Sequence, residues 1–474
     1  MAFHVGLMKK QCEFFFVNVL NKKIGTNLNP EYDYSSCVLI NGVRITQTTP
    51  ASPAARNYVS FNAHFFIENI PGALCNLQLQ LISYKQKKIG RQCIRKPYGC
   101  VSSAVFPLTD KGLELNIRAE DRCNGFVFNA ILHKIVVLPE ESYTAFFSLL
   151  TAQSFLLCLW TGSVLDALDC RYFVKHLLTL LLPTQSIFLS FIDVVLESQL
   201  QKETAATLFR LDTFCSSCIS TALRIVGRDA VLYELSPVLQ QLRRDKPTSV
   251  DVETFVAALR KLTPHLPYLL GAVLFRVGSA VQKQFPDELN CAKRAVSCFF
   301  ILRFLSPILT FWDSTGKIIV SFLNALLCGL HFIEEFHLLD LSKSSVFNSG
   351  PARKLAKAVQ EAANQASSVN FDPCSSTRAA FLMSQILDDF MRPQSLSLTF
   401  PYFYESDWLP ANVVNTRTEE VENSFADYGK EEHFAMLAFH IGRVLEKQAD
   451  CCPVSEAMSV MNSLKNMVET IKSC

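Results

Sequence analysis

Two arginines, Arg210 and Arg303, lie in short stretches of sequence that could position a fixed positive charge. The first stretch is residues 207–216 (TLFRLDTFCS) and the second is residues 299–309 (FFILRFLSPIL). A guanidinium stays protonated and presents a rigid fork of donors that matches phosphate and carboxylate oxygens. Neither stretch is a catalytic motif alone, but together they could stabilise negative charge that develops on oxygen atoms.

In this order the two stretches resemble the paired motifs of the Ras GTPase-activating protein family, which read roughly L-F-R-x-N-[TS]-L-A and F-L-R-[FL]-[LIC]-[CS]-P-A-[IL]. The resemblance implies that Arg210 is an arginine finger. It would enter the nucleotide site of a small GTPase, where charge shifts on the β- and γ-phosphate oxygens during hydrolysis. It further implies that Arg303 hydrogen-bonds the backbone of the finger loop and that Pro307 ends the helix of Arg303.

The resemblance also implies a surface that contacts the GTPase. A third family motif, around K-x-L-Q-x-[LI]-A-N, falls on residues 321–328, where Ser321, Asn324 and Cys328 replace its Lys, Gln and Asn. Asp212 likewise stands where the family usually has Asn. The expected contact residues are Phe209, Asp212, Thr213, Leu302, Pro307, Ser321 and Asn324.

Three hypotheses for function remain open at this point. The first is an active GTPase activator for Ras or Rap. The second is a pseudo-GAP, a scaffold that binds the GTPase without adequate catalysis because its third motif is altered. The third is a helical membrane or structural protein whose arginines match by chance.

Charge is unevenly distributed along the 474 residues, whose formal net charge is +2. Residues 1–135 hold 16 Lys/Arg and 8 Asp/Glu, a net of +8, which leaves −6 for the remainder. With 49% hydrophobic and 19% charged residues, the chain is globular and long enough for two or three domains. A basic first part favours contact with an anionic surface.

The hydrophobic periodicity changes once along the chain. Short β-type runs recur between turn signals up to residue 137, at 14–20, 37–40, 43–49, 64–67, 77–83 and 126–137. Asn41-Gly42, between two of these runs, predicts a hairpin. After Pro139 the pattern becomes helical. We therefore predict a multidomain fold, with an antiparallel β-sandwich over residues 1–137 and a large all-α domain over residues 138–474.

The predicted sandwich resembles a C2 domain at residues 34–49, 64–71 and 77–90. A C2 domain followed by a helical activator module is similar to the synaptic Ras GTPase-activating protein branch of the family. The helical part matches the RasGAP domain best over residues 200–335. It diverges over residues 337–433, where residues 378–390 predict a helix, and residues 434–474 resemble the closing helices.

Six cations, and no acid, lie within residues 85–96. They are Lys85, Lys87, Lys88, Arg91, Arg95 and Lys96. Near an anionic leaflet each basic residue contributes roughly 1 kcal/mol, so we expect lipid binding here. Simple solvation of a loop and edge strand remains the alternative. No nucleic-acid partner is expected, because no aromatic platform accompanies the patch.

Calcium is not an expected ligand of the C2-like region, because Ca²⁺ takes about six to eight oxygen ligands. The predicted loop at residues 84–90 (YKQKKIG) has no carboxylate, and Asp33 is the only acid near the first loop. The protein is expected to need no cofactor of its own, since GTP and Mg²⁺ would be carried by the GTPase.

Seventeen cysteines without framework spacing predict reduced thiols in the cytosol. Together with the expected lipid contact and the family resemblance, the expected location is cytoplasmic, peripheral at the inner face of the plasma membrane. Buried free thiols explain Cys215 and Cys218 better than zinc, since no second ligand pair accompanies them. Residues 142–165, 177–196 and 318–333 approach the ~20 apolar residues of a membrane span. Their polar residues favour core helices, and a span remains the alternative.

Overall fold

Strands come first and helices follow, as the change in periodicity predicts. The structure is a computed structural model that describes residues 10–19, 31–40, 43–47, 51–52, 63–67, 75–89, 92–108, 114–115, 118–119, 126–127, 129–242, 249–288, 291–312, 319–320, 323, 373–392 and 429–473. Within these residues, antiparallel sheets occupy the chain up to residue 137 and helices occupy it from residue 140 onward. The coarse layout, sheet and then helices, is therefore confirmed.

The strands form two four-stranded antiparallel sheets and a two-stranded one, in the orders β4-β1-β10-β7, β3-β2-β5-β6 and β8-β9. Their bounds are β1 Lys10–Val19, β2 Tyr32–Ile40, β3 Val43–Gln47, β4 Ala63–Ile67, β5 Cys75–Ile89, β6 Gln92–Leu108, β7 Glu114–Leu115, β8 Arg118–Ala119, β9 Phe126–Val127 and β10 Asn129–Val137. Ile40 pairs with Val43, which confirms the hairpin predicted at residues 41–42; those two residues lie outside the described set.

The hairpin of β5 and β6 differs from the sequence prediction. Residues 84–89 belong to β5, so the stretch predicted as a loop continues the strand, and the pairing places Lys85 opposite Lys96. The sequence does not predict this extension of β5, because residues 84–89 lack the alternation of apolar and polar residues that marks a strand. The partner strand β6 contains Pro97, which is tolerated because β6 is the edge strand of its sheet and the register shifts beside Tyr84.

The helices follow from the apolar periodicity after residue 139. Their bounds are α1 Thr144–Thr151, α2 Leu156–Val164, α3 Ala167–Leu181, α4 Gln185–Leu200, α5 Phe214–Leu242, α6 Ser249–Leu262, α7 Tyr268–Gln284, α8 Cys291–Ser297, α9 Ser306–Trp312, α10 Pro373–Phe390, α11 Lys430–Gln448 and α12 Ala457–Ser473. A π-helical segment, Cys298–Leu305, joins α8 to α9. The helix predicted at residues 378–390 is confirmed within α10. Residues 434–473 are mostly helical and belong to α11 and α12.

The chain divides into two compact units. The first contains Met1–Leu150, Val164–His176 and Asp407–Cys474, and the second contains Thr151–Ser163 and Leu177–Ser406. The domain boundary predicted after residue 137 falls inside the first unit. Both candidate arginines belong to the second unit, so that unit holds the site described below.

In the first unit, Tyr143 links Leu138, the residue after β10, to α11. Its ring stacks on Phe434 with the ring centroids 5.1 Å apart, and its hydroxyl accepts a hydrogen bond from Leu138 N at 3.1 Å. Deeper in the unit, Asp169 is 3% exposed and accepts a hydrogen bond from Arg443 Nη1 at 3.0 Å. Burial raises the pKa of the Asp169 carboxyl, and the nearby Arg443 opposes that rise.

Asp169→Asn is expected to gain stability relative to wild type as the pH rises from about 3 to about 7. The folded carboxyl holds its proton more tightly than the unfolded one. Its contribution to stability is therefore fully present below its unfolded pKa and is lost as the pH rises through the raised folded pKa. Urea unfolding across this pH range measures the difference, with the exposed Asp450→Asn as control. If Asp169→Asn instead lost stability relative to wild type as the pH rose, the raised pKa of Asp169 would be contradicted.

In the second unit, close packing leaves no room for a side chain at Gly162 in α2. A Cβ there would overlap the ring of Phe214, the first residue of α5. The ring of Phe214 in turn contacts Phe191 of α4, with the centroids 6.4 Å apart. Gly162 therefore permits α2, α4 and α5 to approach one another at the start of α5.

Gly162→Ala is expected to lower the free energy of unfolding by about 1–3 kcal/mol, because the added methyl overpacks a rigid ring. Chemical denaturation of purified protein measures this loss. The matched control is Gly442→Ala in α11, where the new Cβ would meet only Met461 Cε at 3.5 Å. That variant is expected to keep or slightly raise stability, since alanine favours helix over glycine. Equal losses in both variants would refute the packing argument.

Among the described residues, no single helix is both long and apolar enough to cross a membrane. Glu140–Thr151 and Gln153–Val164 meet those criteria only when taken together across the break at residue 152.

Candidate functional site

The loop between α4 and α5, residues 201–213, carries Arg210. Thr204 N donates a hydrogen bond to Thr207 Oγ1 at 3.2 Å, and Arg210 N donates to Thr207 O at 3.1 Å. These bonds fold the middle of the loop into turns. These hydrogen bonds therefore set the position of the Arg210 main chain.

Phe209 anchors the loop to the helices beneath it. Its side chain is 1% exposed, and its ring meets Phe299 of the π-helical segment with the centroids 4.8 Å apart. Its φ is 52°, in the left-handed region, which costs a non-glycine residue about 1–3 kcal/mol. Because the ring is held by packing, the chain accepts this strain. The next residue, Arg210, is exposed.

Arg303 binds the same loop through three acceptors. Its Nη2 donates to Phe209 O at 3.2 Å and to Leu211 O at 3.3 Å, and its Nη1 donates to Asp212 Oδ1 at 2.8 Å. The structure thus brings Arg303 to the main chain on both sides of Arg210, which is the contact that the sequence resemblance implies. The catalytic role of Arg210 stays a prediction.

The π-helical segment Cys298–Leu305 presents Arg303 to the loop. Wide turns of this kind are rare and often occur at functional sites. The helical path continues beyond Leu305 into α9, so the prediction that Pro307 ends the helix is wrong. Pro307 is the second residue of α9 and directly follows the junction with the π-helical segment.

Thr213 fixes the far end of the loop at the start of α5. Its Oγ1 accepts a hydrogen bond from Ser216 N at 3.2 Å, and Ser216 Oγ accepts one from Thr213 N at 2.9 Å. This reciprocal arrangement caps the helix. Thr213 was predicted as a contact to the GTPase, and the described structure uses its hydroxyl for capping.

The surface around Arg210 combines a cation with exposed apolar groups. Leu211 is 72% exposed, and Leu302, which precedes Arg303, is 42% exposed. Within the described part of the chain, the Arg210 guanidinium makes no hydrogen bond or ion pair. The Asp212 side chain is 81% exposed, whereas the Arg303 side chain that it contacts is 21% exposed. The donors of Arg210 therefore face no intramolecular acceptor among the described residues.

Glu203 is a third group at the loop, and sequence reasoning missed it. Its Oε2 accepts a hydrogen bond from Phe209 N at 2.6 Å, while its Oε1 accepts one from Gln199 Nε2 at 2.5 Å. No motif marks this acid. The only signal in the sequence is a carboxylate placed six residues before Phe209, in the loop that follows α4.

Two thiols lie close to Arg303 but are poor nucleophiles. Burial raises the pKa of Cys215, as does nearby Glu203, and Arg303 opposes the rise. Burial likewise raises the pKa of Cys298, with Arg303 again opposing. Both cysteines therefore stay protonated thiols at neutral pH. Cys215 and Cys218 are buried free thiols, as the sequence predicts.

The other predicted site residues are described only in part. Ser321 and Asn324 of the third motif lie outside the described residues, as does Arg91 of the basic cluster. Of the remaining cations, Lys85 is exposed on β5. Lys87 and Lys88 lie farther along β5, and Arg95 and Lys96 lie on β6. The basic cluster thus follows one β-hairpin.

The described residues contain no group of three or more His, Cys, Asp or Glu side chains arranged to hold a metal ion. A cleft of 730 Å³ lies between α5 and α6, and one of 510 Å³ lies between α4 and α7. Neither cleft is lined by Arg210 or Arg303. The arrangement therefore offers an exposed cation on a fixed loop, which suits contact with a macromolecule.

No family model and no curated protein matches the sequence.

Proposed function

We propose that this protein is a GTPase-activating protein for a Ras-family small GTPase, Ras or Rap, and that Arg210 is its arginine finger. The observation that carries the proposal is the contrast between Arg210 and its neighbours. Arg210 is exposed, whereas Phe209 is buried and the carbonyl groups of Phe209 and Leu211 are bound by Arg303. A cation held out on a fixed main chain is what charge stabilisation in trans requires.

The chemistry follows from the geometry of the loop. The Arg210 side chain would donate to the β- and γ-phosphate oxygens as negative charge shifts between them. Arg303 would act through the backbone, because its donors are occupied by Phe209, Leu211 and Asp212. Such fixing lowers the ordering cost of inserting the finger. The GTPase would supply the nucleotide, Mg²⁺ and the water-positioning glutamine.

Residues 1–137 are proposed to act as a C2-like membrane module. The basic cluster on the β5–β6 hairpin supports this, because its pairing sets Lys85 opposite Lys96, and an anionic surface would offset repulsion between cations at facing positions. The proposed location is therefore the cytoplasmic face of the plasma membrane, with the protein bound peripherally through anionic lipids.

The direct test is single-turnover GTP hydrolysis by purified Ras and Rap, each with and without this protein. Vesicles of phosphatidylcholine alone and vesicles that also contain phosphatidylserine separate the lipid contribution from the catalytic one. We expect faster hydrolysis by at least one GTPase, and a larger effect on the anionic vesicles. Absence of stimulation of both GTPases, at concentrations where binding is measured, would refute the catalytic proposal.

One observation favours a second candidate, a GTPase-binding scaffold with weak catalysis. Asp212 sets an exposed carboxylate two residues from Arg210, and its charge would oppose the approach of phosphate groups. Under this candidate the GTP-loaded GTPase binds, but hydrolysis is not accelerated. Replacing Asp212 with asparagine, the usual family residue, would then be expected to raise the stimulated rate.

A further inference from the structure

We propose that Glu203 is a positioning residue for Arg210, acting through the N–H group of Phe209; this inference rests on the proposed function. Arg303 binds carbonyl oxygens of the loop, whereas Glu203 binds the one amide that precedes Arg210 by a single residue. The loop is thus held from both sides, by a cation on its acceptors and by a carboxylate on a donor. We refer to Glu203, Arg303 and the loop backbone between them as the clamp.

The donor and acceptor pattern explains why an acid stands at this position. Both oxygens of Glu203 accept hydrogen bonds, one from Gln199 and one from Phe209. A carboxylate supplies two acceptor oxygens without a donor that would have to be satisfied. Hydrogen bonds to an ionised acceptor are also stronger than neutral ones, which suits a residue that restrains strained backbone.

Phe209 is where the loop needs this restraint most. Its left-handed φ of 52° is unfavourable for a residue with a side chain, so the loop would relax if its contacts were lost. A change in φ at Phe209 would redirect the main chain that enters Arg210. Misplacing a catalytic group by about 1 Å can cost on the order of 100-fold in rate. The hydrogen bond between Glu203 and Phe209 N can therefore affect the rate although Glu203 itself does not touch the phosphates.

Glu203→Gln removes the negative charge of residue 203 while keeping its hydrogen bond to the loop, so it tests the two contributions separately. Glutamine keeps one acceptor oxygen for Phe209 N–H, and the side-chain amide of Gln199 can turn to present its own oxygen to the new NH₂ group. Glu203→Ala removes both acceptors. The matched control is Glu197→Ala, which removes an exposed acidic side chain within α4, before the loop begins.

The first readout is trypsin cleavage after Arg210, which needs no GTPase. Cleavage of a native loop requires local opening, so its rate reports how firmly the clamp holds the backbone. We expect cleavage to be about tenfold faster in Glu203→Ala and within about threefold of wild type in Glu203→Gln and Glu197→Ala. Thermal unfolding of each variant establishes that cleavage starts from folded protein.

The second readout is stimulated GTP hydrolysis at saturating activator. For Glu203→Ala we expect a maximal rate about tenfold lower, with the dissociation constant for GTP-loaded GTPase changed less than about threefold. A residue with a merely structural role would not produce this split together with rescue by glutamine. Wild-type cleavage and hydrolysis rates in Glu203→Ala would overturn the proposal, as would a loss in Glu203→Gln equal to that in Glu203→Ala.

The two readouts keep this inference distinct from the proposed function. Faster cleavage of Glu203→Ala, combined with no stimulation by wild type, would refute the GTPase-activating function while supporting the clamp. Stimulation by wild type together with unchanged cleavage of Glu203→Ala would support the GTPase-activating function while refuting the clamp.

Discussion

Arg210→Ala is expected to abolish most stimulated GTP hydrolysis while leaving the affinity for the GTP-loaded GTPase nearly unchanged. An arginine supplied in trans to Ras raises its hydrolysis rate by roughly 10³ to 10⁵, and we expect a loss of at least the lower value. The finger acts mainly in the transition state, so its removal lowers the rate and not the ground-state affinity. Single-turnover hydrolysis and equilibrium binding, measured on the same preparations, give both quantities.

Two companion variants make the Arg210 result specific. Arg210→Lys keeps the charge but loses the planar fork, so its stimulated rate should fall between those of wild type and alanine. Arg392→Ala removes a side chain that is 76% exposed, two residues after α10 ends, and should leave the rate unchanged. Stability should not fall in Arg210→Ala, because the side chain makes no hydrogen bond or ion pair within the described chain. Equal loss of binding and rate would contradict the finger role.

Arg303→Ala is expected to lower both the stimulated rate and the stability of the protein. It removes charged donors from the carbonyl groups of Phe209 and Leu211, and such hydrogen bonds contribute about 1.5–3 kcal/mol each when buried. The Arg303 side chain is 21% exposed, so we expect a net loss of about 1–3 kcal/mol. The rate should fall about 10- to 100-fold, because the finger persists but its loop is loosened.

Asp212→Asn isolates the ion-pair part of the Arg303 effect. Asp212 is 81% exposed, so its attraction to Arg303 is screened by water and should contribute less than about 1 kcal/mol. Most of the Arg303→Ala loss should therefore survive in the Asp212→Asn background. If the two variants lost equal stability, the carbonyl hydrogen bonds would not be the main contribution of Arg303.

The parts of the site that follow from local sequence were predictable. The contact of Arg303 with the loop was expected because two short stretches resemble the paired family motifs. The buried thiols of α5 were expected because no second ligand pair accompanies them. The same holds for the hairpin pairing at Ile40 and Val43, since two-residue Asn-Gly turns have a strong backbone preference.

Other features depend on tertiary contacts that no local pattern encodes. The left-handed φ of Phe209 exists because its ring is buried against Phe299, more than eighty residues away in sequence. The hydrogen bond from Phe209 to Glu203 depends on that same strained turn. The lysine-rich end of β5 becomes a strand because β6 pairs with it, a case in which pairing overrides composition.

The π-helical segment also sets a rotational phase between two helices. Its hydrogen bonds span one residue more than those of an α-helix, so α8 and α9 are out of step by about one residue, or about 100° about the axis. Removing that extra residue would turn either Arg303 or the buried side chains of α9 away from their partners. Substitutions that favour a regular α-helix at residues 298–305 could therefore disengage Arg303 without altering it. A change in the helical register of residues 298–305 would therefore release the loop from Arg303 without any substitution in the loop itself.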